Sequence, residues 1–378
     1  MQKSFDVIIL GLGAMGSAAA YHLAQRRHRV LGLDRFTPPH TLGSSHGQTR
    51  IIREAYFEHP LYVPIVQRAY ENWAELERET KQQLFQQTGG LMIGPPDGVL
   101  VTGARRSAQL HHLPHELLNA ADIRRRFPAF QPTEETVAVW EPRAGIVFPE
   151  RCIAAHLQMA LQHGATLQYD EPAVKWERDG EGVRVSTAKG EYHASRLLLS
   201  AGAWFNQLVA ELNLPLVIER QVLLWFTPKT HPEHFAPPHC PIYIWEHEPD
   251  RIIYGFQNLG EGVKVGIHHE GEHTNPDHVR REVGADDINA MRGILRRIIP
   301  AIDTPPRATA VCLYTTTPDA HFLLDFHPHH PQVLLASLCS GHGFKFSSAF
   351  GEILTDLLLE GRSRFDLSLF RLERLRPS

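Results

Sequence analysis

The chain has 378 residues, 43% of them hydrophobic, enough to bury a large core spread over two or three domains of ordinary size. Lys and Arg total 38 against 42 Asp and Glu, and the formal charge of -4 excludes whole-protein attraction to nucleic acid or to anionic lipid. Neither a nucleic-acid nor a membrane partner is expected.

The first residues, Met1 to Asp6, run into only about five apolar residues before glycines, too short for a signal h-region or a membrane span. A cytoplasmic protein is the expectation. Residues 6–10 read as a buried parallel strand, 11–16 as a tight turn, 17–25 as a helix and 30–33 as a second strand, together a βαβ unit. Residues 56–80 have helical period, the Pro-punctuated stretch to about 140 is mixed, and 150–163 is an amphipathic helix. Strand-like runs at 166–169, 173–178 and 183–187 lead into a buried strand, 197–202, that ends on glycine. Residues 219–308 change style, with strands at 222–226, 252–256 and 263–267 and a helix at 286–298. The tail returns to the earlier pattern: short strands at 322–325 and 333–336, a glycine loop, then a helix over 346–359. The four cysteines, Cys152, Cys240, Cys312 and Cys339, lie far apart without C-x-x-C spacing and read as reduced thiols unless one carries chemistry.

Gly11-Leu12-Gly13-Ala14-Met15-Gly16 is a G-x-G-x-x-G motif directly after a strand and opening a helix, where backbone amides hold a pyrophosphate. Asp34 closes the second strand; its carboxylate suits a ribose diol and repels a 2′-phosphate, which favours FAD or NAD over NADP. The motif does not choose between those two. A second glycine loop, Ser340-Gly341-His342-Gly343-Phe344-Lys345, precedes the last helix, and its glycines, helix start and lysine suit an anion such as the N1 and C2 carbonyl edge of a reduced flavin. Read alone, Cys312 in Ala310-Val311-Cys312-Leu313 is a buried small hydrophobe.

Three blocks, taken together and in order, are more specific than any of these motifs. They are Pro38-Pro39-His40-Thr41 through Ser45-His46-Gly47-Gln48-Thr49-Arg50-Ile51-Ile52-Arg53, then Cys312-Leu313-Tyr314-Thr315 with His321-Phe322-Leu323-Leu324-Asp325, then 340–348. Over nearly its whole length the chain resembles the monomeric sarcosine oxidase and N-methyltryptophan oxidase family. The resemblance implies an FAD-dependent amine oxidase that is a monomer, with the flavin 8α-methyl joined to Cys312 in a thioether. It implies an α/β (α+β) two-domain fold: a discontinuous Rossmann-like FAD-binding domain from 1–85, 145–218 and 309–378, and a substrate domain on a mixed or antiparallel sheet from 86–144 and 219–308.

It also assigns roles. Arg53 and Lys345 match the positions that hold the substrate carboxylate, for which an Arg fork is a natural receptor, and Arg50 matches a cation beside the flavin. Arg50 and Arg53 are three apart, which on a helix puts both on one side. Lys264 matches a lysine by flavin N5 that promotes reaction with oxygen, and it shares a strand face with Gly266 and His268, the latter matching an active-site histidine. Tyr314, two residues from Cys312, shares its face and is expected to line the cavity, with Tyr254 on the substrate side. The remaining expected cofactor contacts are Gly11, Gly13, Gly16, Asp34, Ser45, His46, Thr49, Val174, Gly202, Gly341, Gly343 and Phe344.

Three positions depart from well-known members: Gln48 stands for Asp, Glu54 for His and Gln257 for Pro. They leave the flavin chemistry intact and open the choice of substrate between an N-methyl amino acid, with sarcosine first, and a cyclic imino acid such as pipecolate or proline. An NAD-dependent dehydrogenase and a non-catalytic flavoprotein are the readings from other classes. The chain has 24 histidines, but adjacent ones such as His268 and His269 point oppositely on a strand, and the His327-Pro328-His329-His330 run reads as a loop, so no metal is predicted. No general base is evident.

Overall fold

The computed structural model describes residues 4–375; residues 1–3 and 376–378 of the expected end segments, including the start of the N-terminal stretch, lie outside the described residues. Ser4–Leu10 is parallel to both Val30–Leu33 and Gly190–Leu199 and is covered on two faces, which explains its unbroken run Val7-Ile8-Ile9-Leu10. Thr166–Gln168 and His330–Ser337 extend the parallel part outward, while Ala173–Asp179, Gly182–Thr187 and Leu323–His327 add antiparallel strands, making eight in all. Helix Ala14–Gln25 packs between Pro149–Gln162 and Ser347–Glu360, giving this sheet its helical layer.

A second sheet has nine strands. Val217–Phe226 lies between Pro306–Thr316 and Val263–His268, and the sheet continues through Arg251–Phe256, Ile242–Glu248, Gly90–Gly94 and Val137–Glu141 to Glu116–Asn119, with Glu272–His273 on Val217–Phe226. Pairing is antiparallel apart from Ile242–Glu248 with Gly90–Gly94, so the sheet is mixed. Helix Ala285–Ile298 covers it through Met291, Ile294 and Leu295, which pack in one cluster with Val263, Val265, Tyr243 and Trp245. Its start is held by Asp287, whose carboxylate accepts the Gly284 N–H at 2.9 Å.

The expected segment boundary at 309 falls inside Pro306–Thr316, so Cys312 and Tyr314 stand on the second sheet. The boundary at 219 likewise falls inside Val217–Phe226. A three-stranded sheet of Arg50–Ile52, Gly145–Val147 and Phe85–Gln87 completes the pairing. Arg50 is therefore on a strand, and the helical spacing argued for Arg50 and Arg53 does not apply. The helix expected from 56 begins at Tyr62, because Pro60 disfavours helical backbone in the residue before it. Among the described residues no helix is long and apolar enough to cross a membrane.

Candidate active site

A continuous cavity of about 360 Å³ runs from the Gly11 loop to the face of the second sheet that carries Cys312. At the glycine end the backbone is the recognition surface. Gly11 has φ +94°, and a Cβ there would lie 2.6 Å from the Ser200 carbonyl oxygen; at Gly13 a Cβ would meet nothing, leaving the backbone open to the cavity. Gly16 does not line the cavity. Its hydrogen lets the helix close on the strand, since a Cβ would sit 1.8 Å from the Gly11 oxygen. Helix Ala14–Gln25 has no side-chain cap and no acidic residue in its first turn, so its positive N-terminal amides are left to an anion, as a pyrophosphate requires. Asp34 accepts the Leu12 N–H at 2.7 Å and the Phe36 N–H at 2.9 Å while facing the cavity; burial raises its pKa and the two backbone bonds oppose that rise. These features fit the dinucleotide part of FAD.

At the other end side chains take over. Arg53, 2% exposed, gives one terminal nitrogen to both Glu58 oxygens at 2.9 and 2.7 Å and the other to the Ala55 carbonyl, leaving its Nε without a partner. Lys345 donates to the His342 carbonyl at 2.5 Å and to Tyr56 Oη at 3.2 Å. Tyr56 ties the pair together: the Arg53 guanidinium lies 4.1 Å and the Lys345 ammonium 5.2 Å from its ring centre. Burial, then the nearby Arg53 charge, pulls the Lys345 pKa down to about 7. Two cations thus line one wall, and Glu58 is the carboxylate that acts on both among the described residues.

Cys312 is 1% exposed and lines the cavity; burial raises its thiol pKa, and Arg50 and Lys264 act against that rise. Arg50 lines the cavity too, held by the Thr49 and Ser44 carbonyls at 2.8 and 2.7 Å. Tyr254, Tyr314 and His268 form the wall beyond Cys312. Gly341, at φ +75°, lets the second glycine loop approach that wall, because a Cβ there would lie 2.6 Å from Tyr314 and 3.0 Å from His268. Ser45, Gly202, Gly343 and Phe344 also line the cavity.

Four other expected residues stand elsewhere. Lys264 is buried behind the 47–49 segment, its three protons donated to Gly47 O, Thr49 O and Thr49 Oγ1 at 2.7 to 2.9 Å; burial and the Arg50 charge depress its pKa. Thr49 and His46 are buried without lining the cavity, and His46 Nε2 lacks a partner. Val174 points to solvent, 73% exposed, and Ala173 lines the cavity in its place.

Sequence reasoning missed Tyr56, Glu58 and His342, which organise the two cations. Tyr56 and Glu58 lie in the irregular segment 53–61, where the helical period read from 56 does not hold, and His342 lies in the second glycine loop. It also misplaced His269. The strand ends at His268, and His269 and Glu270 have φ of +61° and +59°, which brings the His269 ring back to 4.2 Å from that of His268. Among the described residues, His231, Glu233 and His234 have metal-ligand spacing on an exposed turn that does not line the cavity.

Residues 6–357 match the model of the family described as FAD dependent oxidoreductase. Monomeric sarcosine oxidase of Streptomyces avermitilis is 45% identical over 99% of both chains. N-methyl-L-tryptophan oxidase of Yersinia pestis is 34% identical over 98% of this chain and 100% of its own. Among solved structures, the open form of NikD, an unusual amino acid oxidase essential for nikkomycin biosynthesis, superposes with a TM-score of 0.84 at 26% identity over 98% of each chain. A glycine loop and bare helix start at one end of the cavity, and sequence similarity along the whole chain, lead to one assignment: the protein belongs to the FAD-dependent oxidoreductases, in the group that includes monomeric sarcosine oxidase and N-methyl-L-tryptophan oxidase.

Proposed function

We propose that the protein oxidises a secondary amino acid, with sarcosine or another N-methyl amino acid as substrate, giving formaldehyde, the demethylated amino acid and hydrogen peroxide. The observation that carries this reading is the pair of buried cavity cations, Arg53 and Lys345, sharing Tyr56 and only partly neutralised by Glu58. Such a wall suits the carboxylate of a small zwitterion, for which Arg offers a planar two-pronged donor. The Gly11 loop and Asp34 would hold FAD, which when bound would supply the hydride acceptor for the N-methyl carbon. Arg53 and Lys345 fix the carboxylate so that this carbon faces inward, and Tyr254, Tyr314 and His268 form the wall that shapes the remaining space. The resulting imine takes up water and splits, so amine, oxygen and water balance the amine product, formaldehyde and peroxide.

Cys312 is assigned to a thioether with the flavin; its burial on the cavity wall among cations supports this. Lys264 is assigned to the oxygen step; its side-chain nitrogen, bonded to Gly47 and Thr49, lies 4.6 Å from the ring centre of Phe256, which lines the cavity. The nucleotide unit is assigned to 1–85, 145–218 and 309–378 and the substrate unit to 86–144 and 219–308; the pairing of Pro306–Thr316 with Val217–Phe226 supports keeping both strands in the substrate unit. Four cysteines without disulfides support a cytoplasmic location, and the name of the Streptomyces relative supports a monomer.

Turnover of a panel of N-methyl and cyclic amino acids, followed by peroxide release, tests the reading. Sarcosine or another N-methyl amino acid is expected to give the highest kcat/KM; a preference for pipecolate or proline, or no turnover, contradicts it. Acid precipitation tests the linkage: yellow colour stays with the protein pellet and is released in Cys312→Ala.

A further inference from the structure

An N-methyl amino acid reaches the cavity as an ammonium, and one N–H proton must leave before hydride departs from carbon. Arg50, Arg53 and Lys345 face the substrate as donors. His268 is the cavity-wall imidazole at the second sheet, and beyond it the chain bends in an unusual way. Two successive residues with side chains, His269 and Glu270, are left-handed, a strained arrangement that reverses the strand alternation. It sets the His269 ring 4.2 Å from His268 at 56°, with Tyr314 5.9 Å from His268 and 5.6 Å from His269. His268 faces the cavity, while the His269 side chain is 31% exposed. Behind it Glu219 Oε2 lies 3.5 Å from His269 Nδ1, and Gln221 Nε2 donates to the same oxygen at 2.9 Å. Glu219 stands opposite Tyr314 in the strand pairing, so the carboxylate is held by the sheet that carries Cys312.

We propose that His268, His269 and Glu219 form the route by which the amine proton leaves the cavity, an inference that rests on the amine-oxidase reading. The substrate N–H bond breaks as a ring N–H forms on His268. The opposite ring nitrogen passes a proton to His269, whose ring centre lies 4.2 Å away and whose Nδ1 faces Glu219 Oε2 at 3.5 Å, and the exposed edge of His269 returns a proton to water. No electrons move in this step. Burial, followed by the charges of His269, His342, Lys345 and Arg53, holds the His268 pKa well below its ordinary value, so it waits neutral and does not retain the proton. The other groups around His269 are Tyr314, His273, which faces Glu219 across the strand pair, and Glu270, which is tied to Arg251 at 2.8 Å.

Anaerobic stopped-flow mixing with sarcosine tests the route, with Glu219→Gln as a second variant that keeps the side chain's shape. His269→Gln is expected to slow flavin reduction roughly 10- to 100-fold near neutral pH, with the gap closing as pH nears the amine's own pKa and added imidazole restoring part of the rate. Glu219→Gln is expected to show the same pH-dependent loss in smaller measure. A pH indicator in weak buffer registers the released proton with reduction in the wild type and late in His269→Gln. A wild-type-to-variant ratio that is one, or constant across pH without imidazole rescue, overturns the route and leaves the oxidase reading standing. A wild type reduced by no N-alkyl amino acid overturns both.

Discussion

The two ends of the cavity are built in different ways. At the Gly11 loop, recognition lies in backbone amides, an uncapped helix and one carboxylate, all within 11–34. At the Cys312 end it lies in side chains from segments that are distant in sequence: Arg53, Tyr254, His268, Cys312 and Lys345. A backbone site tolerates side-chain change except where a Cβ blocks packing, whereas a side-chain site depends on charge at each position. That contrast orders the expected effects of mutation.

The largest effect belongs to Gly16→Val. Its Cβ meets a backbone oxygen at 1.8 Å, so helix and strand must part, and a loss of roughly 3 kcal/mol in unfolding free energy together with loss of bound FAD is expected. Thermal unfolding and flavin content read both; retention of FAD would break the claim that this loop is fixed by close packing. Next, Arg53→Lys keeps a charge but loses the fork, and kcat/KM for the N-methyl amino acid is expected to fall roughly 100-fold with flavin content unchanged. Equal kinetics would show that charge alone suffices.

A pH effect follows from Lys345, whose pKa is pulled down to about 7. The group is charged below that pH and neutral above it. Binding of methoxyacetate, the oxygen analogue of sarcosine with no amine to titrate, should weaken by about tenfold per pH unit once pH exceeds the pKa. Titration of the flavin spectrum measures this, and Lys345→Met should flatten the profile. The smallest effect is expected at Val174, where the exposed side chain makes Val174→Ser neutral within about 0.5 kcal/mol and without change in flavin content.

This contrast also explains what the sequence made legible. The Gly11 loop, Asp34 and the βαβ unit are local; Gly11 and Gly16 each have a nearby steric reason, and Gly13 leaves the backbone open to the cavity. At the side-chain end the residues alone pointed to the second glycine loop and its lysine, and resemblance named Arg53, Lys345, Cys312, Tyr254, Tyr314 and His268, all of which line the cavity. Local rules failed where the backbone left regular geometry. Helical spacing was applied to Arg50, which is on a strand, and strand alternation to His269, where a positive φ reverses it. Lys264 lies on the expected strand, yet its ammonium is captured by Gly47 and Thr49 before reaching the cavity, a contact between segments more than 200 residues apart. Nothing local to Val263–His268 encodes that capture.

The most direct measurement of the central claim is a visible spectrum of the purified yellow protein before and after sarcosine is added without oxygen, followed by admission of air. Bleaching of the flavin bands by sarcosine or another N-methyl amino acid, with recovery in air and release of peroxide, is the predicted result. Bands that remain unchanged with every N-methyl amino acid would contradict it.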